Sequence, residues 1–354
     1  MSVSAEAGAR SLRPRVAVVA GLLLALLAVT SFVAVATGPA AIPMHRLLAL
    51  FDPAGGETAA RDQLVIWSVR LPRMALALMV GALLATAGAV MQGLFRNPLA
   101  DPALVGVSSG AALAAATTII VADRFAESQV LAIPFALLPV AALFGALAAT
   151  AILYRLATRD GRTSIAVFLL AGLAVAALAN AAIGLLVFLA DDRQLRDITF
   201  WMLGSLSGAT WTKAAAILPF FLATALALPF VARGLDCLVL GEAEAFHMGI
   251  AVERLKKIAI VIVAASVGAA VSVSGVIGFV GIVVPHLLRL MIGPAHRLLL
   301  PASMMAGAVL MLAADTVARS IAAPAELPIG IITAIAGAPF FLMLLLRQRA
   351  LSGL

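Results

Sequence analysis

Charge is what this sequence is poorest in. Only 12% of its 354 residues are Asp, Glu, Lys or Arg, against 64% hydrophobic, fractions far from those of a soluble domain. Such a chain needs a bilayer as its solvent. Cysteine is nearly missing: the single Cys237 excludes a disulfide within the chain and leaves no cysteine cage for a metal. Lysine occurs only at Lys213, Lys256 and Lys257, and none follows a glycine. No G-x-x-x-x-G-K-[ST] string is present, so the chain has no loop of its own to cradle ATP phosphates. The four histidines, His45, His247, His286 and His296, lie in separate segments without the i, i+4 spacing of a helical metal pair, and each reads as a loop or helix-end residue. The net charge of +7 comes from arginines scattered between apolar runs rather than gathered in a stripe, which excludes nucleic acid as a partner. Nucleophiles, acids and ligands do not cluster as catalysis would require.

What is abundant is Ala, Leu and Val in runs of about 20 residues, the length at which a helix crosses about 30 Å of hydrocarbon. The runs predict an all-α protein with ten crossings, near 16–36, 74–95, 103–122, 132–154, 164–190, 212–232, 257–275, 280–292, 298–318 and 328–346. An even number puts both termini on one side. Arg10, Arg13 and Arg15 at one end and Arg347 and Arg349 at the other make that side cytoplasmic. With this topology fifteen basic and seven acidic residues fall inside and nine and ten outside, a positive-inside balance. Ala34-Val35-Ala36 could close a secretory signal, but an apolar stretch of about 21 residues is longer than a signal peptide needs. The expectation is a retained helix in one transmembrane domain over 1–354.

Gly81, Gly88 and Pro98 recur as Gly268, Gly275 and Pro285 at a constant offset of 187. Helix 2 would run inward and helix 7 outward, so two copies so related would be inverted, as in many transporters. From Ile258 to Ile292 the chain stays nearly uncharged for 35 residues, too long for one crossing. A break is expected at Gly275, Gly278 and Gly281, leaving a short helix before His286 that cannot span alone; two ordinary helices with a tight turn are the other possibility. Among carboxylates inside the apolar segments Asp315 is the clearest, with Glu326 near a helix end. It is either a packing group bonded to a neighbour or a relay residue of an ion-coupled transporter.

Several strings resemble the FecCD-type permease family of ABC importers for haem, iron siderophores and cobalamin. They are Arg70-Leu-Pro-Arg73, Gly88-Ala-Val-Met-Gln-Gly93, Asn97-Pro-Leu-Ala-Asp-Pro102 and Gly106-Val-Ser-Ser-Gly110 in the first half. Gly278-Phe-Val-Gly281, Val284-Pro-His286, Ala325-Glu-Leu-Pro-Ile-Gly330 and Gly337-Ala-Pro-Phe340 follow in the second. Their order spans about residues 64 to 346. The resemblance implies a subunit that pairs with a second copy of itself in the bacterial inner membrane, two ATP-binding subunits beneath it and a periplasmic binding protein above. It implies no cofactor bound by this chain, with ATP and Mg held by the ATPase subunits.

By the same resemblance, Arg233 to Lys257 is the cytoplasmic segment that receives force from the ATPase, with Gly241, Glu242, Glu244 and Gly249 at its coupling helix; a solvated connector is the plainer alternative. Arg70, Arg73 and Arg319, set just outside helices 2 and 9, resemble arginines that dock binding-protein glutamates, or else they anchor helix ends at the interface. Thr163 and Ser164 resemble cytoplasmic gate residues, although either could simply cap a helix. Gly172, Asn180 and Gly184 would lie along a smooth wall of the translocation path. The string Ala190-Asp-Asp-Arg-Gln-Leu-Arg-Asp-Ile-Thr-Phe-Trp201 resembles haem-type members, which puts haem first, ferric siderophore next and cobalamin third.

Overall fold

The computed structural model of the chain describes residues 3–38, 42, 57–102, 106–127, 137–323 and 325–352. Helix α1 is Val3–Ala36. Helix α2 (Glu57–Val65) passes through a π-turn, Ile66–Arg70, into α3 (Leu71–Leu94). Helices α4 (Val107–Glu127) and α5 (Leu138–Ala157) follow. Two short antiparallel strands, β1 (Thr158–Arg159) and β2 (Arg162–Thr163), then lead into α6 (Ile165–Leu189). Beyond it come α7 (Asp192–Leu203), α8 (Trp211–Leu238), α9 (Glu242–His247) and α10 (Val252–Ser274). The chain ends with α11 (Val280–Ile292), α12 (His296–Ile321) and α13 (Ile329–Ser352). Seven helical runs are long and apolar enough to cross a membrane, and three shorter apolar helices, Val107–Ala122, Val280–Ile292 and Ile329–Met343, bring the segments among the described residues to the expected ten.

Several boundaries differ from the hydropathy reading. The second crossing is one helical run, Ala60–Leu94, of 35 residues. Hydropathy truncates it because Arg61, Asp62, Arg70 and Arg73 punctuate its first half. Helix α7 was not anticipated. It is amphipathic rather than uniformly apolar, and a capping box starts it: Asp191 accepts from the Gln194 backbone while the Gln194 side chain accepts from Asp191 N–H. The start of the crossing expected at 132 and His45 lie outside the described residues.

The long uncharged stretch breaks where glycines permit, but not at all three of them. Helix α10 stops at Ser274, Gly275 takes φ 68°, and helix resumes at Val280 behind Phe279, itself left-handed at φ 68°. Gly281 and His286 therefore lie inside α11 rather than at the break and beyond it, and His286 is not a helix-end residue. Thirteen residues of α11 rise only about 20 Å, and the helix is covered by protein along Val280, Gly281, Ile282, Val284, Pro285 and Leu288.

Helix α3 is the axis of the bundle, with 83% of its most apolar window buried against 11% for α1 and 17% for α6. Small residues make this possible. A Cβ placed on Gly81 would overlap the Gly307 backbone of α12, and one on Gly88 would overlap the Gly281 carbonyl of α11. Between lipid-embedded helices, where the hydrophobic effect offers no net pull, such close backbone approach supplies the packing energy. Pro285 cannot donate a backbone hydrogen bond to Gly281, four residues before it. Gln92 of α3 fills this vacancy, its Nε2 donating to Gly281 O at 3.2 Å. Arg289 then donates to Gln92 Oε1 at 2.9 Å.

The helix pairing has the character of a repeat. Helix α3 packs on α12 as α10 packs on α5, and α4 pairs with α5 as α11 pairs with α12. Gly81 and Gly268 are equivalent in this sense, the second facing Ala146 and Leu143 of α5. The other two members of the constant-offset series have diverged: Gly88 is mid-helix whereas Gly275 ends a helix, and Pro98 lies in a loop whereas Pro285 is helical.

Replacing Gly88 by Ala should lower thermal stability by about 1–3 kcal/mol, because the obstacle is backbone and cannot rotate away. At Gly21 of α1, where a Cβ meets nothing within 4 Å, the same change should be neutral or stabilise by about 0.5–1 kcal/mol. Melting curves of the detergent-solubilised protein, one variant at a time, measure both.

Candidate functional site

Charged side chains are gathered at two ends of the bundle. At the first, Arg73 on the opening turn of α3 grips Asp315 of α12 in bidentate fashion, Nε to Oδ2 at 3.1 Å and NH2 to Oδ1 at 2.9 Å, with NH1 on Glu326 Oε1 at 2.7 Å. Asp315 is 1% exposed. One turn along α12, Arg319 lies 3.7 Å from Asp315 Oδ2 and donates to Ala34 O at the end of α1. Arg70 donates to Val35 O and, at 3.1 Å, to Ala36 O. Asp62 is buried and acts electrostatically on Arg70. Three arginines and three carboxylates thus bind the ends of α1, α3 and α12 together.

This corrects the expected placement of the arginines. Arg70, Arg73 and Arg319 do not stand outside helix ends; they are inside continuous helix, 4%, 8% and 4% exposed, and are spent on partners within the chain. The physical reason is desolvation: guanidinium groups at the apolar edge lower their cost by pairing with the carboxylates the sequence also places there. Asp315 accordingly has the packing role and is no free relay group.

At the opposite end of α3 and α10, the chain from α5 to α6 meets α9. Thr163 is 5% exposed. Its hydroxyl shares a 3.0 Å hydrogen bond with that of Thr158 across the two-strand turn, and its backbone N–H donates to Glu253 Oε2 at 2.9 Å. Lys256, 2% exposed, donates to Thr163 O at 3.0 Å, to Glu242 Oε2 at 2.7 Å and to Glu253 Oε1 at 3.0 Å. The expected gate pair is therefore split. Thr163 faces inward, while Ser164 is exposed and caps α6 by accepting from Val167 N–H. The backbone decides this: Thr163 ends β2 and Ser164 is still extended, so these successive residues point to opposite sides.

Along α6, Asn180 and Gly184 are one turn apart on the exposed face, among Leu173, Leu178, Leu185 and Phe188. Gly172 is buried, its carbonyl near Gly106, so it belongs to the packing side and not to the same wall. In the 233–257 segment Gly241 (φ 126°) opens α9 and Gly249 (φ 82°) follows it, both left-handed turns as the glycines suggested. Glu242 engages Lys256, Glu244 is exposed with its carboxylate over Gly241, and Phe246 stands 69% exposed at the helix surface.

Sequence reasoning passed over Lys256, Glu253 and the Gln92–Arg289 bond. The one available signal for the first two was Glu253 and Lys256 at i, i+3 beside an apolar run. It also passed over Asp236, whose carboxylate accepts from both His296 N–H at 2.8 Å and His296 Nδ1 at 2.7 Å, capping α12 from α8.

The comparisons agree with this architecture. The model of the FecCD transport family matches residues 23–347. The chain belongs to the FecCD transport family. Within it, this permease is 46% identical over 293 residues to the hemin transport system permease protein HmuU of Yersinia pestis, an alignment covering 80% of this chain and 84% of that protein. It is 43% identical to the cobalamin import system permease protein BtuC of Halobacterium salinarum, covering 82% and 76%. A solved inward-facing metal-chelate type ABC transporter superposes with TM-score 0.80 at 32% identity over 93% of this chain and 99% of that one. This FecCD member is a multi-pass transport subunit and not an enzyme in its own right.

Asp315→Asn should cost this permease about 3–5 kcal/mol of stability, since Arg73 and Arg319 stay buried without their counter-charge. Removing both sides of the main pair, Arg73→Met with Asp315→Leu, should recover a large part of that loss. A double-mutant cycle read by thermal melting measures the difference.

Proposed function

We propose that this FecCD permease carries haem across the bacterial inner membrane as half of a symmetric channel, with both termini cytoplasmic. Two ATP-binding subunits would hold ATP and Mg against the α9 segment, and a periplasmic binding protein would deliver cargo at the Arg73 end. The observation that carries the cargo assignment is the 46% identity to a hemin permease over four fifths of the chain. The exposed face of α6 supports it: Leu, Ala, Gly184 and a single Asn180 form a surface that touches a flat macrocycle without ligating it. Cobalamin is the second reading, favoured by the 43% match to a cobalamin permease.

In this reading α9 is the coupling helix. Gly241 and Gly249 hinge it, Glu242 and Glu244 flank its first turn, and Phe246 offers an apolar knob to the ATPase. Ser164 is the gate residue at the head of α6, where two copies approach, and Thr163 holds it in place. A binding-protein carboxylate reaching Arg73 has to take the place of Glu326, the least buried member of that cluster, whose side chain is 33% exposed.

Proteoliposomes holding two copies of the permease, its ATPase and the binding protein should accumulate haem with ATP. ATP-driven uptake of cyanocobalamin or a ferric siderophore instead of haem would overturn the cargo assignment while leaving the importer standing. The permease alone should hydrolyse no ATP. With Cys237 replaced by Ser, a cysteine at position 164 should cross-link between the copies in a nucleotide-dependent yield, while one at position 163 should stay unreactive.

A further inference from the structure

The buried ammonium of Lys256 joins three pieces of chain that are separate in sequence. Glu242 is the first residue of α9, Lys256 and Glu253 lie in the opening turns of α10, and Thr163 ends the strand that feeds α6. All three N–H donors of Lys256 are used, at 2.7 to 3.0 Å, and the group is 2% exposed. Glu253 closes a ring by taking Lys256 on one oxygen and the Thr163 N–H on the other. Residue 163 is thereby gripped at both its N–H and its C=O, immediately before the residue that caps α6.

We propose that Lys256 is the positioning residue that transmits displacement of α9 to the head of α6. A buried ammonium cannot release an acceptor without leaving charge unsolvated, so the three acceptors move together. The glycine turns at 241 and 249 let α9 pivot, and the Glu242–Lys256 bond converts that pivot into motion of Thr163 and of the exposed Ser164 beside it. Phe246, exposed on the same short helix, gives an outside partner its handle. This rests on the reading of α9 as the segment an ATPase contacts and of Ser164 as facing the second copy.

The test uses the full assembly in lipid with Ser164→Cys and Cys237→Ser as background, reading the cross-link yield between copies without nucleotide and with ATP trapped by vanadate. In that background the yield should change with nucleotide. Adding Lys256→Met should reduce this response about ten-fold. Glu242→Ala, which removes the acceptor at 242 but leaves Lys256 bonded to Glu253 and Thr163 and so keeps the junction folded, should do the same. The two changes together should be no worse than either alone, and Lys256→Arg should restore most of the response. A nucleotide response in Glu242→Ala equal to the background, or losses that multiply in the double variant, would overturn the proposal, as would a melting temperature that falls while the response stays intact. If the background itself shows no nucleotide response, the gate reading has failed instead.

Discussion

The contact of α3 with α11 at Gly88 and Gly281 is the constraint on which the rest of the bundle depends. The two backbones can approach this closely only because Gly88 carries no Cβ, whereas one on Gly281 would meet its nearest neighbour, Leu84 O, at 3.2 Å. The approach puts Gln92 within reach of the carbonyl that Pro285 deprives of its helical donor. A half-length helix with an unsatisfied carbonyl could not persist beside lipid. With Gln92 supplying the donor and Arg289 ordering Gln92 in turn, α11 can be short, kinked and buried. The break at 275–279 is then tolerated, and α10 and α11 can run at different angles without exposing polar backbone to the membrane.

Two ionic clusters with different mechanical characters follow from the same economy of charge. At the Arg73 end, opposite charges are matched between α3 and α12, α1 adds backbone carbonyl acceptors, and the cluster ties together the helices at the centre of the bundle. At the Lys256 end, one cation is shared among a six-residue helix, the head of α10 and a two-strand turn. Helix α9 is bounded by positive-φ glycines at 241 and 249, and the two-strand turn contains another at 161. The first arrangement resists relative movement. The second, on the proposed function, would let these elements move as a unit at the ATPase end.

The ten crossings were legible because hydropathy measures segment length directly, and the break in the 258–292 stretch was legible because no single helix of 35 apolar residues fits a bilayer. The turns around α9 were legible because glycine is the residue that adopts positive φ without strain. What escaped was pairing across distance. Arg73 meets Asp315 and Glu326 more than 240 residues away, and one-dimensional reading sees these and Arg319 as four charges near helix ends without seeing that they neutralise one another. Thr163 and Ser164 look equivalent as adjacent small hydroxyls, and the two-strand turn that sends them to opposite sides is too short to leave a periodic signal. Helix α7 escaped because its apolar face is narrow and its polar face carries Asp192, Arg193 and Arg196.

On the proposed function, the exposed face of α6 would set the terms on which cargo can pass. Permeation requires contacts strong enough to admit a solute and weak enough to release it, and a helix lined by Leu, Ala and Gly with one Asn supplies dispersion over a broad area with little directional bonding. In that case a binding protein that holds its ligand tightly would lose it by being opened rather than by being outcompeted by this helix. The energy for release would then arrive from the ATPase end. It follows that substrate choice rests mainly with the delivering protein, and that permeases for haem and for cobalamin can share over 40% of their residues with this chain while carrying different cargo.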